Sequence, residues 1–144
     1  MTDDFYTEWC IGGRHRERIE KFLFKCDSSF KPALSERVDI TQYAEKISRY
    51  AETVFFVHHE KDIAASSLYC NRYPAYITSV AVLPDYTGQG IGTSLIREAE
   101  QHCIQKRLKK IRLETYGTVY LFYQTLGYEI VLRSQKLVVM EKSL

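Results

Sequence analysis

The chain has 144 residues, a length at which a single domain of roughly 100–150 residues is the usual outcome and no disulfide or metal is needed to hold the core. Hydrophobic residues make up 45% and charged residues 26%, which excludes disordered and collagen-like chains. The 20 Lys and Arg nearly balance 18 Asp and Glu, leaving a net charge of +2 without the basic excess of a dedicated nucleic-acid binder.

No run approaches the roughly 20 apolar residues of a membrane span, and the opening Met1-Thr2-Asp3-Asp4 is acidic and leads into no apolar signal core. Cys10, Cys26, Cys70 and Cys103 lie far apart with no C-x-x-C pair. That spacing predicts reduced thiols in a cytoplasmic protein, without a disulfide framework and without a metal site.

The first periodic segment covers 14–26. Ile19, Phe22, Leu23 and Cys26 fall at i, i+3, i+4 and i+7, one helical face, with Arg14, Arg16, Glu17, Arg18 and Lys21 on the wet side. A second helix is predicted over 39–51, with Ile40, Tyr43, Ala44 and Ile47 as its apolar face and Asp39 and Gln42 as N-cap and capping-box partner. The period then changes to that of strands. Residues 53–58, 63–70 and 75–83 are β-branched and aromatic runs separated by the turns Glu60-Lys61-Asp62 and Asn71-Arg72-Tyr73-Pro74. With no helix-sized segment between them, these three strands should form an antiparallel meander. Pro84 ends the third, having no N–H for a ladder.

A long helix follows over 90–107, with Ile91, Leu95, Ala99 and Cys103 four apart on one face. A short strand over 111–114, a short helix over 118–126 closed by Gly127, and a strand pair over 128–132 and 137–142 complete the chain. The predicted order, α-α-β-β-β-α-β-α-β-β over 1–144, is one mixed α/β domain with a largely antiparallel central sheet flanked by helices.

The chemistry concentrates where the third strand meets the long helix, at Val80-Ala81-Val82-Leu83-Pro84-Asp85-Tyr86-Thr87-Gly88-Gln89-Gly90-Ile91-Gly92-Thr93. The first N–H groups of a helix have no internal partners and lie at the positive end of its dipole. Glycines before them let a phosphate or pyrophosphate approach without meeting a Cβ. The spacing Gly88-Gln89-Gly90-Ile91-Gly92 does not fit the G-x-G-x-x-G of a dinucleotide fold, and no lysine precedes Thr93 as a P-loop requires.

The stretch resembles the acetyl-CoA loop of the GNAT superfamily of N-acetyltransferases, whose pattern is Arg/Gln-x-x-Gly-x-Gly/Ala. Gly90 and Gly92 occupy the fixed small positions, and Thr87 departs from the leading Arg/Gln. A second resemblance lies in Leu121-Phe122-Tyr123-Gln124-Thr125-Leu126-Gly127-Tyr128, where Tyr123 keeps the family's spacing to Gly127-Tyr128. Upstream of it Tyr116 and Val119 stand where the family often has Asn and Ala.

The resemblance implies the fold just described and an enzyme that moves an acetyl group from acetyl-CoA to a primary amine by direct attack on the thioester. It implies that Val80, Ala81 and Val82 offer backbone groups to the carbonyl oxygen and the pantetheine arm. Thr87, Gly88, Gln89, Gly90, Ile91, Gly92 and Thr93 would take the pyrophosphate, with Tyr116 beside the pantetheine. Tyr123 becomes the general acid. A phenol of pKa about 10 can donate to a thiolate whose conjugate acid has pKa near 8.5. The base is open. Glu114 at the end of the strand over 111–114 is the tentative choice, His58 and His59 are others, and a water chain without a single base is equally admissible. The acceptor is expected to be a small molecule, such as an amino sugar or amino-acid derivative, with no nucleic acid and no membrane as partner. A homodimer is left open. The altered Thr87, Tyr116 and Val119 positions support an alternative, a non-catalytic CoA-binding module of the same fold. The basic run Lys106-Arg107-Leu108-Lys109-Lys110 is read as a solvated helix end. Phe5, Tyr6 and Trp9 either line an acceptor pocket or pack.

Overall fold

Helical periodicity in the first third of the chain becomes α1 (Arg16–Lys25) and α2 (Ile40–Tyr50), which cover one face of a sheet. The computed structural model describes residues 5–144; the acidic opening, residues 1–4, lies outside them. The Asp39 carboxylate accepts a 2.9 Å bond from the Gln42 amide, the N-cap expected for α2. The meander follows as β2 (Glu52–His58), β3 (Lys61–Tyr69) and β4 (Ala75–Val82). Then come α3 (Ile91–Gln105), β5 (Lys110–Tyr116), α4 (Tyr120–Thr125), β6 (Glu129–Arg133) and β7 (Leu137–Ser143). Gly127, at φ +97°, closes α4 as predicted, and the Tyr128 amide donates to the Tyr123 carbonyl at 3.1 Å.

One element is an addition to the predicted order. Residues Phe5–Cys10 form β1, ahead of the two helices. They pair antiparallel with β2 from Phe5↔His58 to Cys10↔Thr53. As an edge strand it buries little beyond Cys10 and owes its conformation to a partner more than 40 residues away, so it carries no local strand pattern. The seven strands lie in the order β1-β2-β3-β4-β5-β7-β6, and every neighbouring pair is antiparallel except β4 with β5.

Alternation along each strand sorts side chains between two layers. Phe55, Val57, Ala65, Tyr69 and Ala81 pack under α1 and α2. On the other face, Leu68, Ile77, Ile111 and Leu113 pack with Ile96, Ala99 and Cys103 of α3 and with Tyr123 and Leu126. Val54, Ile63 and Ala64 meet Ile91 and Leu95 there. Among the described residues no helix is long and apolar enough to cross a membrane.

Candidate active site

β4 and β5 are paired only over Ala75↔Ile111, Tyr76↔Arg112 and Ile77↔Leu113. Beyond Ile77 the two strands part, although β4 runs on to Val82 and β5 to Tyr116. The physical cause is a bulge. Ser67 pairs with Ser79 and Leu68 with Ile77, so Thr78 is an extra residue on β4. A bulge bends its strand and increases local twist. Tyr43 of α2 pins it: its hydroxyl donates to the Thr78 carbonyl at 2.9 Å and lies 2.6 Å from Thr78 Oγ1. Burial raises the Tyr43 pKa above that of a free phenol, and the bond to Thr78 partly opposes the shift.

The parted strands enclose a cleft of about 150 Å³. Thr78, Ser79 and Val80 form one wall, and Glu114, Thr115 and Tyr116 the other. Tyr123 reaches it from the α3 and α4 side. The residue is 8% exposed, and its ring meets Phe122 and Tyr128 edge-on at 5.1 and 5.8 Å. Desolvation pushes its pKa up to about 12, so the phenol is neutral at physiological pH. Glu114 alternates with the buried Leu113 and Thr115 and therefore projects toward the opposite face, that of α1 and α2. The proton donor and the proton acceptor candidates thus approach the cleft from opposite sides of the sheet.

At the cleft's outer end, the Pro84–Tyr86 turn leads to Gly88 at φ +79° and Gly90 at φ +82°, the left-handed N-cap of α3. A Cβ built on either glycine meets nothing within 4 Å, so conformation demands glycine here, and the space outside stays open. No side chain caps α3 and no acidic residue lies in its first turn, leaving its leading amides available to an anion. Thr87 is exposed, and its Oγ1 donates to the Pro84 carbonyl at 3.0 Å. Val80 and Val82 pack their side chains toward α3, with Ile91 and Leu95.

The remaining candidates separate cleanly. His58 stacks on Phe5 at 4.0 Å, lies beside His59, and shares a 3.1 Å hydrogen bond with the Tyr86 hydroxyl; neither histidine lines the cleft. Phe5 packs on Phe56 and Trp9 stacks on His102 at 3.9 Å, at the far edge of the sheet from β5. Tyr6 is exposed and borders a larger hollow of about 630 Å³ against α1. That hollow's Arg18 is already paired, at 2.7 Å to Asp62 and 2.9 Å to Glu8. The basic run sits at the C-terminal end of α3, with Lys106 at 3.5 Å from Glu52 and Lys110 at 3.7 Å from Glu141.

Sequence reasoning missed the link between α1 and α2. Ser29, Phe30, Lys31 and Arg37 form the roof of the cleft. The Ser29 hydroxyl is buried without a protein partner. The Arg37 guanidinium lies 5.1 Å over the Tyr116 ring and 5.7 Å over Phe30. Lys31 also borders the channel of Val80, Ala81, Val82 and Thr87 that leads to the glycine loop. No motif marks these residues, because only packing of α1 and α2 on the sheet brings their link over β4.

The acetyltransferase (GNAT) family model matches residues 17–128. A curated relative, GCN5-related N-acetyltransferase 2, chloroplastic, of Arabidopsis thaliana, is 36% identical over 59 residues. That match spans 41% of this chain and about a quarter, 23%, of the relative's length. Solved structures share the fold across nearly the whole chain. The PaiA N-acetyltransferase of Thermoplasma acidophilum, in complex with coenzyme A, aligns with a TM-score of 0.73 at 17% identity, covering 96% of this chain and 99% of that one. A GNAT family acetyltransferase of Elizabethkingia anophelis with acetyl-CoA bound aligns at 0.74 and 14% identity, covering 99% and 100%. The NatC complex bound to Gag peptide and CoA contains a chain that aligns at 0.77 and 18% identity, covering 98% and 99%. With its glycine loop, its parted β4 and β5, and the family match across most of its length, the chain belongs to the GNAT family of acetyltransferases.

Proposed function

We propose that the protein is an N-acetyltransferase that uses acetyl-CoA to acetylate a primary amine of a small-molecule acceptor. The observation that carries this reading is that the cleft and the hollow beside the glycine loop adjoin along β4. Two hollows share Ser29, Lys31 and Val80: one reaches Thr87 at the head of the glycine loop, and the other follows the free stretch of β4 to Tyr123. The amides of Gly88 to Thr93 bind the pyrophosphate, and alternate backbone groups of residues 78–82 face away from β3 to meet the pantetheine arm. Acetyl-CoA supplies the acetyl thioester.

Glu114, directly or through water, takes one proton from the incoming ammonium, whose pKa of about 10.4 keeps it charged at neutral pH. The neutral nitrogen forms its bond to the carbonyl carbon while strand amides beside the Thr78 bulge stabilise the charge gathering on oxygen. The carbon–sulfur bond breaks with its electron pair on sulfur, and the Tyr123 hydroxyl donates to that sulfur. The second nitrogen proton leaves through the same route as the first or restores the phenol. The amine enters from the α1 and α2 face, where Glu114 offers it an anion and Arg37 offers a counter-charge to an acidic group elsewhere on the acceptor.

Thermal unfolding with acetyl-CoA, followed by amine-dependent release of free thiol, tests the reading. Acetyl-CoA at about 100 times its Kd should stabilise the native state by roughly 2.7 kcal/mol. Stabilisation without thiol release from any amine favours the non-catalytic module, and no stabilisation removes the cofactor assignment.

A further inference from the structure

At the end of the sheet opposite the glycine loop, three elements bring metal-ligating side chains together. Glu52 opens β2, Cys70 follows directly on β3, and His102 lies in the last turn of α3. A carboxylate oxygen of Glu52, Cys70 Sγ and a ring nitrogen of His102 all lie within 4.8 Å of one another. His102 Nε2 is 2.7 Å from Glu52 Oε1. These groups are withdrawn from solvent, with the Glu52 and His102 side chains 14% and 13% exposed. Cys70 is half-buried, and the nearby Cys103 of α3 is fully buried.

We propose that Glu52, Cys70 and His102 form a zinc site remote from the acetyl-transfer cleft. The donor set decides the metal: a thiolate with an imidazole and a carboxylate suits borderline-soft Zn²⁺, whereas Ca²⁺ and Mg²⁺ take oxygen donors. Bond lengths of about 2.0–2.3 Å place tetrahedral zinc ligands roughly 3.3–3.8 Å from one another, so shifts of about 1 Å suffice. Charge is also matched. Glu52 and the Cys70 thiolate neutralise the dication, and binding releases the Cys70 proton to solvent as the Zn–S bond forms.

The surroundings already hold the ligands in place. Lys106 Nζ sits 3.5 Å from Glu52 Oε2, on the oxygen that does not meet His102, and so favours attachment through Oε1 alone. The Trp9 ring stacks 3.9 Å from the imidazole, fixing its plane. Three protein ligands leave one position for water. His102 lies eleven residues along α3 from Ile91, roughly 17 Å from the glycine loop at 1.5 Å per residue. The site therefore ties β2, β3 and α3 together without entering the transfer chemistry.

Cobalt(II) titration of the full chain, freed of metal and kept reduced, tests the assignment. One cobalt per chain should bind with a thiolate-to-cobalt charge-transfer band that zinc then abolishes. The band should vanish in Cys70→Ser, and cobalt affinity should fall at least tenfold in His102→Gln and in Glu52→Gln. Absence of a thiolate band, or its persistence in Cys70→Ser, overturns the proposal. Because a substituted chain can fail to fold, iodoacetamide labelling of the unmutated protein provides the second readout. Zinc should slow alkylation of Cys70 at least tenfold, and an unchanged rate overturns the site equally.

Discussion

Replacing Tyr123 with Phe removes one oxygen from the cleft and leaves the ring that packs against Phe122 and Tyr128. The size of the effect follows from the burial of that ring. Desolvation holds the Tyr123 pKa at about 12, against about 8.5 for an ordinary thiol. Complete transfer of the phenolic proton to a departing thiolate is then uphill by about 3.5 pKa units, near 5 kcal/mol. A hydrogen bond from a neutral donor to a charged acceptor contributes about 1.5–3 kcal/mol. The hydroxyl therefore acts mainly by donating to the sulfur as charge builds on it, and its loss should lower kcat about 10- to 150-fold. The acetyl-CoA Kd should stay within about twofold, since the pyrophosphate amides and the strand are untouched. Steady-state thiol release gives kcat, and the shift of the melting temperature with acetyl-CoA gives the affinity. A Tyr123→Phe enzyme that keeps more than a third of its kcat refutes the assigned role. A loss far beyond about 10³ refutes the magnitude and restores full proton transfer.

Glu114→Gln keeps the shape of an exposed side chain and removes its basicity; kcat should fall at least tenfold near neutral pH and recover partly as pH rises and the free amine accumulates. Gly90→Ala places a Cβ in open space but at φ +82°, so strain of about 1–2 kcal/mol should lower the melting temperature by several degrees, with acetyl-CoA affinity reduced by displacement of the α3 amides. Thr87→Arg trades the Thr87–Pro84 hydrogen bond for a cation at the loop and should tighten acetyl-CoA binding about two- to fivefold at low salt, an effect that fades at high salt. Alkaline unfolding should be steep. Burial raises Tyr123 from 10.0 to about 12 and moves Tyr43, Tyr69, Tyr76 and Tyr128 in the same direction. Below pH 10 both folded and unfolded phenols are neutral and the full contribution is present; from pH 10 upward the unfolded chain ionises first, and for Tyr123 the contribution is lost by about pH 12. Denaturant midpoints measured from pH 8 to 12 check this, and a flat profile above pH 10 contradicts it.

The sequence by itself determined the features that depend on near neighbours. Helix periodicity placed α1, α2 and α3, Asp39 capped α2, Gly127 ended α4, and the glycines before Ile91 opened the first turn of α3. Each of these is settled within a few residues by sterics, local hydrogen bonds or the exposure of one face. It also singled out Tyr123 and Glu114, which the fold brings to one cleft, while His58 is drawn away to Phe5 and Tyr86 with His59 beside it.

Tertiary structure decided what depends on distant partners. The cleft exists because Tyr43 pins the Thr78 bulge from 35 residues away and β5 pairs with β4 for only three residues. The edge strand β1 exists because β2 is there to pair with it. Ser29, Lys31 and Arg37 become cleft residues only when α1 and α2 lie on the sheet. Cys70 and His102, unremarkable by spacing, meet Glu52 because strand ends and a helix end converge at one edge of the core. Local pattern encodes backbone conformation and which side of an element is apolar; the positions of side chains across a cleft depend on how whole elements pack, and that information is spread over the entire chain.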